Sequence, residues 1–355
     1  MVITVKLKLK LKPNKFIASI LDTMTSDYID TVNSIVDYQY GQLKWDPLTT
    51  ATVNAPLPTA ILNQCIRDAK SIYKDKKKNN SVLKKPVMYI NNQNYSIFED
   101  GISFPLWIDS KSRKTKIPAE IPSDIYNTLL ENKDSLGLLR VCRKNNKYMA
   151  FITYEKKETP VVSGDVIMGV DLGIKCPAVC RVSNNKTKFV GNGRMIKYKR
   201  RQFATKRKQL GKLKKPQAIK RIGHKENDWM NDQDHKISRE VVNFALENNV
   251  RIIKLEQLAN IRATTRTSRK NNKSLHNWSF YRLQNYIIYK AQLVGIQVEV
   301  VNPAYTSQKC PSCGANNKAK DRLYKCSCGY KQHRDIVGAI NIMQAPALNG
   351  NSSAA

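Results

Sequence analysis

Four of the eight cysteines fall within 19 residues near the carboxyl end of the chain, and no other feature restricts its fold as strongly. Cys310 and Cys313 form one close pair, and Cys326 and Cys328 form a second after a gap of 12 residues. Two thiolate pairs on a short hairpin supply the four ligands of a tetrahedral zinc ion. The sequence therefore predicts a zinc ribbon over residues 307–333 with one structural ion. His333 in place of one cysteine is an alternative, and so are four unrelated buried cysteines.

The net charge of the chain limits the class of its partner. Lys and Arg number 61 against 28 Asp and Glu, a formal net charge of +33. Such an excess predicts a large polyanionic partner, either nucleic acid or an anionic membrane surface. Hydrophobic residues make up 41% of the chain, enough for a folded core. No apolar run approaches the ~18 residues of a membrane span and no signal peptide is evident, so we expect a soluble protein.

The chain begins with a strictly alternating segment. From Ile3 to Leu11, apolar residues alternate with polar ones. A period of two predicts a strand with one buried face and one solvent-facing side. The solvent-facing side carries Lys6, Lys8 and Lys10, so we expect it to contact phosphates.

The pattern then changes twice before residue 160. Helical periodicity extends over 14–40 and 59–74. Short apolar runs separated by turn residues follow, and they indicate a small antiparallel sheet or barrel. We therefore predict a small β-barrel domain over 1–13 and 80–160 that carries a helical insert over 14–79.

From residue 161 the pattern becomes α/β, because apolar strands alternate with helical segments. A predicted helix over 236–248 leads into one strand, and another over 280–293 leads into the next. An α/β domain is therefore predicted over 161–306 and 334–345, with the zinc ribbon inserted into it. The Asn- and Ser-rich tail, 346–355, is predicted to be disordered.

Three acidic residues occupy matched positions in this α/β region. Asp171 ends one predicted strand, Glu256 ends another, and Asp335 opens a predicted helix. Side chains at such positions can converge at the carboxyl edge of a sheet. Carboxylates bind Mg²⁺ or Mn²⁺, and two such ions ~3.5–4 Å apart can promote hydrolysis of a phosphodiester. Each acid alone would more often be a helix cap or an ion-pair partner, but together, in so basic a chain, they indicate a metal-dependent site.

A strongly basic segment lies between the first two acids. Residues 194–225 contain 14 Lys and Arg, and no acidic residue occurs from 172 to 225. Ile196, Phe203 and Leu210 recur every seven residues, which predicts a helix docked by a narrow apolar seam. Its other faces offer six cations to phosphates: Lys199, Arg200, Arg201, Lys206, Arg207 and Lys208. A solvated charged helix is the alternative. The lack of balancing acids favours nucleic acid, and a membrane-surface helix would need a wider apolar face.

These motifs, in this order, resemble those of TnpB, a family of RNA-guided nucleases encoded in small bacterial insertion elements and related to type V CRISPR effectors. Gly169-Val-Asp-Leu-Gly173 and Ile253-Lys-Leu-Glu256 are similar to the first two motifs of a RuvC-like nuclease. Arg334-Asp335 with Asn341-Ile342 is similar to the third, and Asn302-Pro-Ala-Tyr-Thr-Ser-Gln308 stands before the cysteines as in the family. The resemblance covers residues 165–342.

The resemblance implies a RuvC/RNase H-like nuclease domain with an inserted zinc ribbon, preceded by a wedge-like β-barrel domain. It implies that Asp171, Glu256 and Asp335 are catalytic and hold two Mg²⁺ ions, or Mn²⁺. The partners it implies are a guide RNA derived from the element, with one protein per RNA, and a double-stranded DNA target. It places such a protein in the bacterial cytoplasm or nucleoid, with no membrane partner.

In the family, the amino-terminal half also reads a short motif that flanks the target. The loop 48–58 and one helix face are the candidates for that role here. The residues of this face are Thr59, Asn63, Gln64 and Arg67.

The chain departs from the family pattern at two places. The second cysteine pair is CxC rather than CxxC, and Val337 stands where the third motif usually has Asn. Neither change removes a metal ligand. Three other functions remain open: a compact type V CRISPR effector, a nuclease-silent RNA-guided DNA-binding regulator, and a zinc-ribbon RNA-binding protein without nuclease activity.

Overall fold

A computed structural model describes residues 2–42, 44–74, 82–157, 159–257, 280–317, 319 and 321–348. The last residues of the predicted disordered tail, 349–355, lie outside the described residues. The chain divides into two compact units, residues 1–157 and 158–355. No described helix combines the length and the apolar character that crossing a membrane requires.

The described residues of the first unit form seven antiparallel strands. These strands are β1 (Val2–Leu11), β2 (Val87–Ile90), β3 (Ser96–Phe98), β4 (Gly101–Ile108), β5 (Lys111–Glu120), β6 (Leu136–Lys144) and β7 (Lys147–Lys157). Their order in the sheet is β2-β6-β7-β1-β5-β4-β3. Within the described part of the chain, the edge strands β2 and β3 do not pair with each other. Closure of this sheet into a barrel therefore stays a prediction.

The described residues of the first unit also form three α-helices: α1 (Lys15–Tyr40), α2 (Thr59–Lys74) and α3 (Ser123–Glu131). Helix α1 begins where the Asn14 side chain accepts a hydrogen bond from the Ile17 amide at 2.8 Å, which satisfies one free amide of the first turn. Its apolar stripe, which includes Leu21, Met24 and Val32, is buried against the sheet and α2. Burial of these side chains away from water stabilises the fold. The Tyr28 hydroxyl donates to Asp68 of α2 at 2.6 Å and fixes the pair.

The second unit contains a five-stranded mixed sheet. Its strands are β8 (Ile167–Asp171), β9 (Ala178–Val182), β10 (Thr187–Val190), β11 (Ile252–Glu256) and β12 (Gln297–Val301). The order is β10-β9-β8-β11-β12, with β8, β11 and β12 parallel to one another. Parallel neighbours end at the same edge of a sheet, so the carboxyl ends of β8 and β11 lie side by side.

Helices α5 (Pro216–Glu247), α6 (Phe280–Gln292) and α7 (Arg334–Gln344) pack with this sheet, and α4 (Gly193–Lys212) packs against α5. A short hairpin of β13 (Leu323–Lys325) and β14 (Lys331–His333) lies in the cysteine-rich segment. The described sheets and helices form the mixed α/β architecture that was predicted for the second half of the chain.

The helix predicted over 236–248 is much longer than expected, because α5 begins at Pro216. Proline suits the first helical turn, where its missing amide is not needed. The amino-terminal half of α5 is largely exposed and polar, so hydrophobic periodicity did not reveal it. Leu213, three residues after the last apolar residue of the seam on α4, is 62% exposed in the turn between the two helices.

Candidate active site

The three predicted acids lie at one edge of the five-stranded sheet. Asp171 is the last residue of β8 and Glu256 is the last residue of β11, in parallel register with Leu255 opposite Val170. Asp335 lies in the first turn of α7, which packs against β8. The tertiary structure therefore brings together carboxylates that are 85 and 79 residues apart in sequence (171 to 256, 256 to 335).

Two glycines allow α7 to approach β8 closely. A Cβ atom at Gly169 would lie 2.0 Å from the Ala339 carbonyl oxygen of α7. A Cβ atom at Gly338 of α7 would lie 3.0 Å from Oδ2 of Asp171. The carboxylate of the first acid thus packs directly against the helix that carries the third.

We expect Gly169→Ala to destabilise the second unit by about 2 kcal/mol or more, because overpacking a tight contact forces the backbone to shift. Gly338→Ala should instead displace the Asp171 carboxylate and lower the cleavage that the sequence predicts for this site by about 10- to 100-fold, with a smaller loss of stability. Thermal unfolding and single-turnover cleavage separate the two effects. Gly223→Ala is the matched control, because a Cβ there meets nothing within 4 Å. Equal behaviour of all three variants would contradict this packing.

A buried polar network orients Glu256. The Thr306 hydroxyl donates a hydrogen bond to Glu256 Oε1. The Asn341 side-chain amide in turn donates to the carbonyl oxygens of Thr306 at 2.6 Å and Lys309 at 2.7 Å. In the sequence, Thr306 and Asn341 stand out only as parts of motifs that resemble the family, and no role is predicted for them. The hydrogen-bond partner of a neutral polar residue becomes evident only in the folded chain.

A cation from the cysteine-rich segment holds Asp335. Arg322 lies in the bend immediately before β13, and its Nη1 donates to both carboxylate oxygens at 2.5 and 2.6 Å. His333 caps α7 by accepting a hydrogen bond from the Asp335 amide at 3.3 Å. The alternative that His333 replaces a cysteine in the metal cluster finds no support in this arrangement.

The electrostatics of the site favour a bound cation. Burial, and then the nearby Glu256 and Asp335 carboxylates, raise the pKa of Asp171 to about 8, although Arg334 and Arg322 oppose this. Burial also raises the pKa of Glu256, while the Thr306 hydrogen bond lowers it. A raised pKa means that too little positive charge surrounds the carboxylate to stabilise its ionised form. A divalent ion would supply that charge. The chemistry of these donors therefore suits Mg²⁺, whereas the group that already lies close enough together to hold a metal ion, among the described residues, is the set of four cysteines.

This raised pKa predicts a pH-dependent stability in the absence of divalent ions. Between pH ~4 and ~8 the folded state keeps a proton on Asp171 that the unfolded chain releases, so the unfolding free energy falls as pH rises through that window. Asp171→Asn cannot ionise and should be more stable than wild type at pH 8 by on the order of 2 kcal/mol, but not at pH 4. Thermal unfolding without added Mg²⁺ measures this. Exposed Asp165→Asn is the control, and a pH-independent difference would contradict the prediction.

The four cysteines form a compact cluster. Cys310 and Cys328 sulfurs are 3.7 Å apart, those of Cys313 and Cys326 are 3.5 Å apart, and all four lie within 4.8 Å of one another. Zinc–sulfur bonds of ~2.3 Å in a tetrahedron place sulfurs ~3.8 Å apart, so the cluster fits one zinc ion.

The chain supports this cluster with an outer hydrogen bond and a backbone donor. The Asn317 amide donates to the Cys326 sulfur at 3.1 Å. Hydrogen bonds, first from the Cys328 amide and then from the other three cysteine side chains, lower the pKa of Cys326 to about 6, which favours the thiolate that a metal requires.

The predicted phosphate contacts divide into exposed and paired cations. Lys6 and Lys8 are exposed on β1, whereas Lys10 pairs with Glu120 at 3.1 Å. On α4, Arg201, Lys206 and Lys208 are exposed and Lys199 is partly buried. Arg200 and Arg207 instead pair with Glu226 of α5, an acid that lies just beyond the acid-free segment. These two arginines join α4 to α5.

One residue of the predicted motif-reading face is misplaced. Thr59, Asn63 and Arg67 are exposed on α2, but Gln64 is buried and donates to Asp68 at 2.9 Å. The helical repeat turns Gln64 towards the core of the first unit, so Gln64 does not belong to the exposed face of α2.

Two family models match the second half of the chain. Residues 151–262 match the model described as a probable transposase, OrfB of IS605, and residues 280–342 match the TNB domain of Cas12f1-like proteins. A TnpB-like protein of Methanocaldococcus jannaschii is 37% identical over 151 residues, which are 40% of this chain and 54% of that protein. A shorter protein of this organism, named as a transposase, is 36% identical over 81 residues that cover 20% of this chain and 74% of its own length. The chain belongs to the TnpB family.

This TnpB-family chain is also similar to CRISPR-associated proteins. The endodeoxyribonuclease Cas12f1 of Sulfoacidibacillus thermotolerans is 30% identical over 218 residues, which are 56% of this chain and 50% of that protein. The matched part thus spans about half the length of the larger relatives. A cryo-EM structure of a Cas12f1–sgRNA–target DNA complex aligns with a TM-score of 0.70 at 14% identity, over 96% of this chain and 99% of that chain. The two proteins therefore share a fold.

Proposed function

We propose that this chain is an RNA-guided DNA endonuclease of an insertion element. The observation that carries the proposal is the meeting of Asp171, Glu256 and Asp335 at one sheet edge in a chain with a net charge of +33. Family membership supports it, because relatives of this chain are named TnpB-like proteins and endodeoxyribonucleases. A zinc-ribbon RNA-binding protein without nuclease activity would not need three converging carboxylates.

The proposed domains follow the sequence prediction. Residues 161–306 and 334–345 form a RuvC-like nuclease domain, and residues 307–333 form the zinc ribbon. The first unit combines a wedge-like barrel with the helical insert over 14–79. Its exposed α2 residues Thr59, Asn63 and Arg67 are candidates for reading the motif that flanks the target.

In the proposed mechanism, an RNA guide pairs with one DNA strand and supplies the target sequence. Asp171, Glu256 and Asp335 would hold two Mg²⁺ ions, which supply Lewis acidity for attack of water on a phosphodiester. The chain's own residues keep these carboxylates in position. Thr306 orients Glu256, Arg322 holds Asp335, and Gly338 lets the Asp171 carboxylate lie against α7. The ribbon, whose four cysteines would hold one structural zinc ion, carries Arg322 to Asp335.

Copurified RNA provides the direct test of this proposal. The RNA bound to the purified protein is sequenced, and its 3′ segment is used to design a matching duplex. The RNA complex should then cut that duplex in Mg²⁺ but not a scrambled duplex. Binding without cutting would instead support a nuclease-silent regulator. A repeat array beside the gene, in place of element ends, would identify a compact type V CRISPR effector, the second candidate favoured by the Cas12f1 similarity.

The exposed cations of α4 should account for part of RNA binding. Replacing Arg201, Lys206 and Lys208 together by alanine should weaken RNA affinity. It should also make the slope of log K against log salt concentration shallower by about two, since each single-strand phosphate contact contributes ~0.7 to that slope. Filter binding at salt concentrations from roughly 50 to roughly 400 mM measures the slope. Arg207→Ala is the comparison, because its partner is Glu226 and its loss should lower the melting temperature more than the slope. An unchanged slope in the triple variant would remove α4 from the RNA interface.

A further inference from the structure

A groove lies beside the acid site in the second unit. The loop 302–311 and the carboxyl end of α7 with the residues after it enclose a volume of about 720 Å³. The residues that matter to its chemistry are Asn302, Tyr305, Thr306, Lys309, Asn341 and Leu348. None of the residues predicted from the sequence to contact nucleic acid lines it.

Tyr305 presents its ring in this groove. The side chain is 62% exposed, and its backbone φ of +61° lies in the left-handed region that residues other than glycine rarely adopt. The surrounding turn holds that conformation, because the Gln308 and Lys309 amides both donate to the Tyr305 carbonyl oxygen, at 2.9 and 3.0 Å. A large aromatic side chain that is exposed on a turn of this conformation contributes little to the core. Such strain concentrates where a ligand is bound.

The same turn is connected to the acid site. Thr306, the next residue, donates its hydroxyl to Glu256 and is itself buried. Asn341 donates to the Thr306 and Lys309 carbonyl oxygens and ties the turn to α7, the helix that carries Asp335. A ligand against Tyr305 would therefore lie one residue from the side chain that orients a catalytic carboxylate.

The groove combines an aromatic face with a free cation. The Lys309 side chain is exposed, and no described residue forms an ion pair with it. An aromatic ring beside an ammonium group matches a nucleotide, whose base stacks and whose phosphate carries negative charge. Base faces inside a duplex are covered by their neighbours, so only an unpaired strand can stack in this way. Stacking also tolerates any base, as an enzyme guided by RNA pairing requires.

We propose that this groove binds one nucleotide of the unpaired DNA strand at the acid site, with its base stacked on Tyr305 and its phosphate against Lys309. The proposal rests on the proposed endonuclease function and adds the element that positions the strand. Tyr305 is a positioning residue, because it acts on the base beside the bond that is cut and not on the reacting atoms.

Single-turnover cleavage by the RNA complex tests the stacking contact. Tyr305→Ala should lower the cleavage rate by about 10- to 100-fold, the range expected for loss of one stacked base. Tyr305→Phe and Tyr305→Trp should stay within about threefold of wild type, since both keep an aromatic face. Tyr281→Ala is the matched control, because Tyr281 is 66% exposed in the same unit and does not line the groove. A Tyr305→Phe variant as slow as Tyr305→Ala, or a fully active Tyr305→Ala, would overturn the proposal.

Abasic substrates separate stacking from folding. Removal of the base at one position near the cut should slow the wild-type complex to the cleavage rate of Tyr305→Ala on the intact substrate. The Tyr305→Ala complex should cleave the abasic and the intact substrates at the same rate. Additive losses would overturn the proposal. Unchanged zinc content and melting temperature in Tyr305→Ala exclude misfolding as the cause.

A readout without cleavage distinguishes failure of the groove from failure of the proposed function. A single-stranded oligonucleotide with 2-aminopurine is added to the full chain, and its fluorescence reports stacking. Quenching by wild type and Tyr305→Phe, but not by Tyr305→Ala, supports the groove even if the wild-type complex cuts no DNA. Equal quenching by all three overturns the groove even if the complex is an active nuclease.

Discussion

Asp171→Ala should reduce DNA cleavage by the RNA complex by more than about 1000-fold, a loss of about 4 kcal/mol of transition-state stabilisation. Asp171 lies at the end of β8, against Gly338 and next to the other two carboxylates, so its loss would remove one of the three carboxylates proposed to hold the metal ions. Binding of RNA and of the matched duplex should remain within about threefold of wild type, because these contacts come from the basic surface. Single-turnover cleavage in Mg²⁺ and filter binding measure the two effects.

Asp165→Ala is the matched control for this variant. Asp165 lies six residues earlier and is fully exposed, with only a distant pairing to Arg251 at 3.8 Å. Its loss should leave cleavage unchanged. Full cleavage by Asp171→Ala would show that the acid site is not the nuclease centre, and parallel loss of RNA binding would show that the substitution disrupts the fold instead.

Loss of the zinc cluster should have the largest effect on stability. Cys310→Ser and Cys326→Ser should each lower the bound zinc from one ion per chain to near zero. Structural zinc contributes about 10–16 kcal/mol of binding free energy to small domains, and the two short strands β13 and β14 bury little else. We expect the melting temperature of the second unit to fall by about 10 °C, as for a loss of ~4 kcal/mol in a domain of this size.

The same variants should also lose cleavage, because the ribbon carries Arg322 and Arg322 holds Asp335. Elemental analysis, thermal unfolding and cleavage are measured on each variant. Cys142→Ala is the control, since Cys142 lies in β6 of the other unit. This variant should keep the zinc content and the activity of the wild type. A zinc-free variant with the wild-type melting temperature would contradict a structural role for the ion.

Much of the fold was predictable because its signals are local. The alternation over β1, the helical periods of α1 and α2 and the cysteine spacing each depend on residues that are neighbours in sequence. Helix α2 has the predicted bounds. The start of α5 was missed because its first turns are solvated on most faces and carry no period to detect.

The sequence by itself determined which residue types are available: three acids at element ends, four paired cysteines and a large excess of cations. Only the tertiary structure decided which of them meet. The parallel register of β8 and β11 and the glycine contacts with α7 bring Asp171, Glu256 and Asp335 to one edge.

Pairing with distant residues was equally invisible in the sequence. It removed Arg200, Arg207 and Gln64 from the exposed surface, and it assigned Thr306 and Arg322 to the acids. The physical reason is that hydrogen bonds and ion pairs depend on distances of a few ångströms between side chains. A linear pattern contains no such distances until packing of the core has set them.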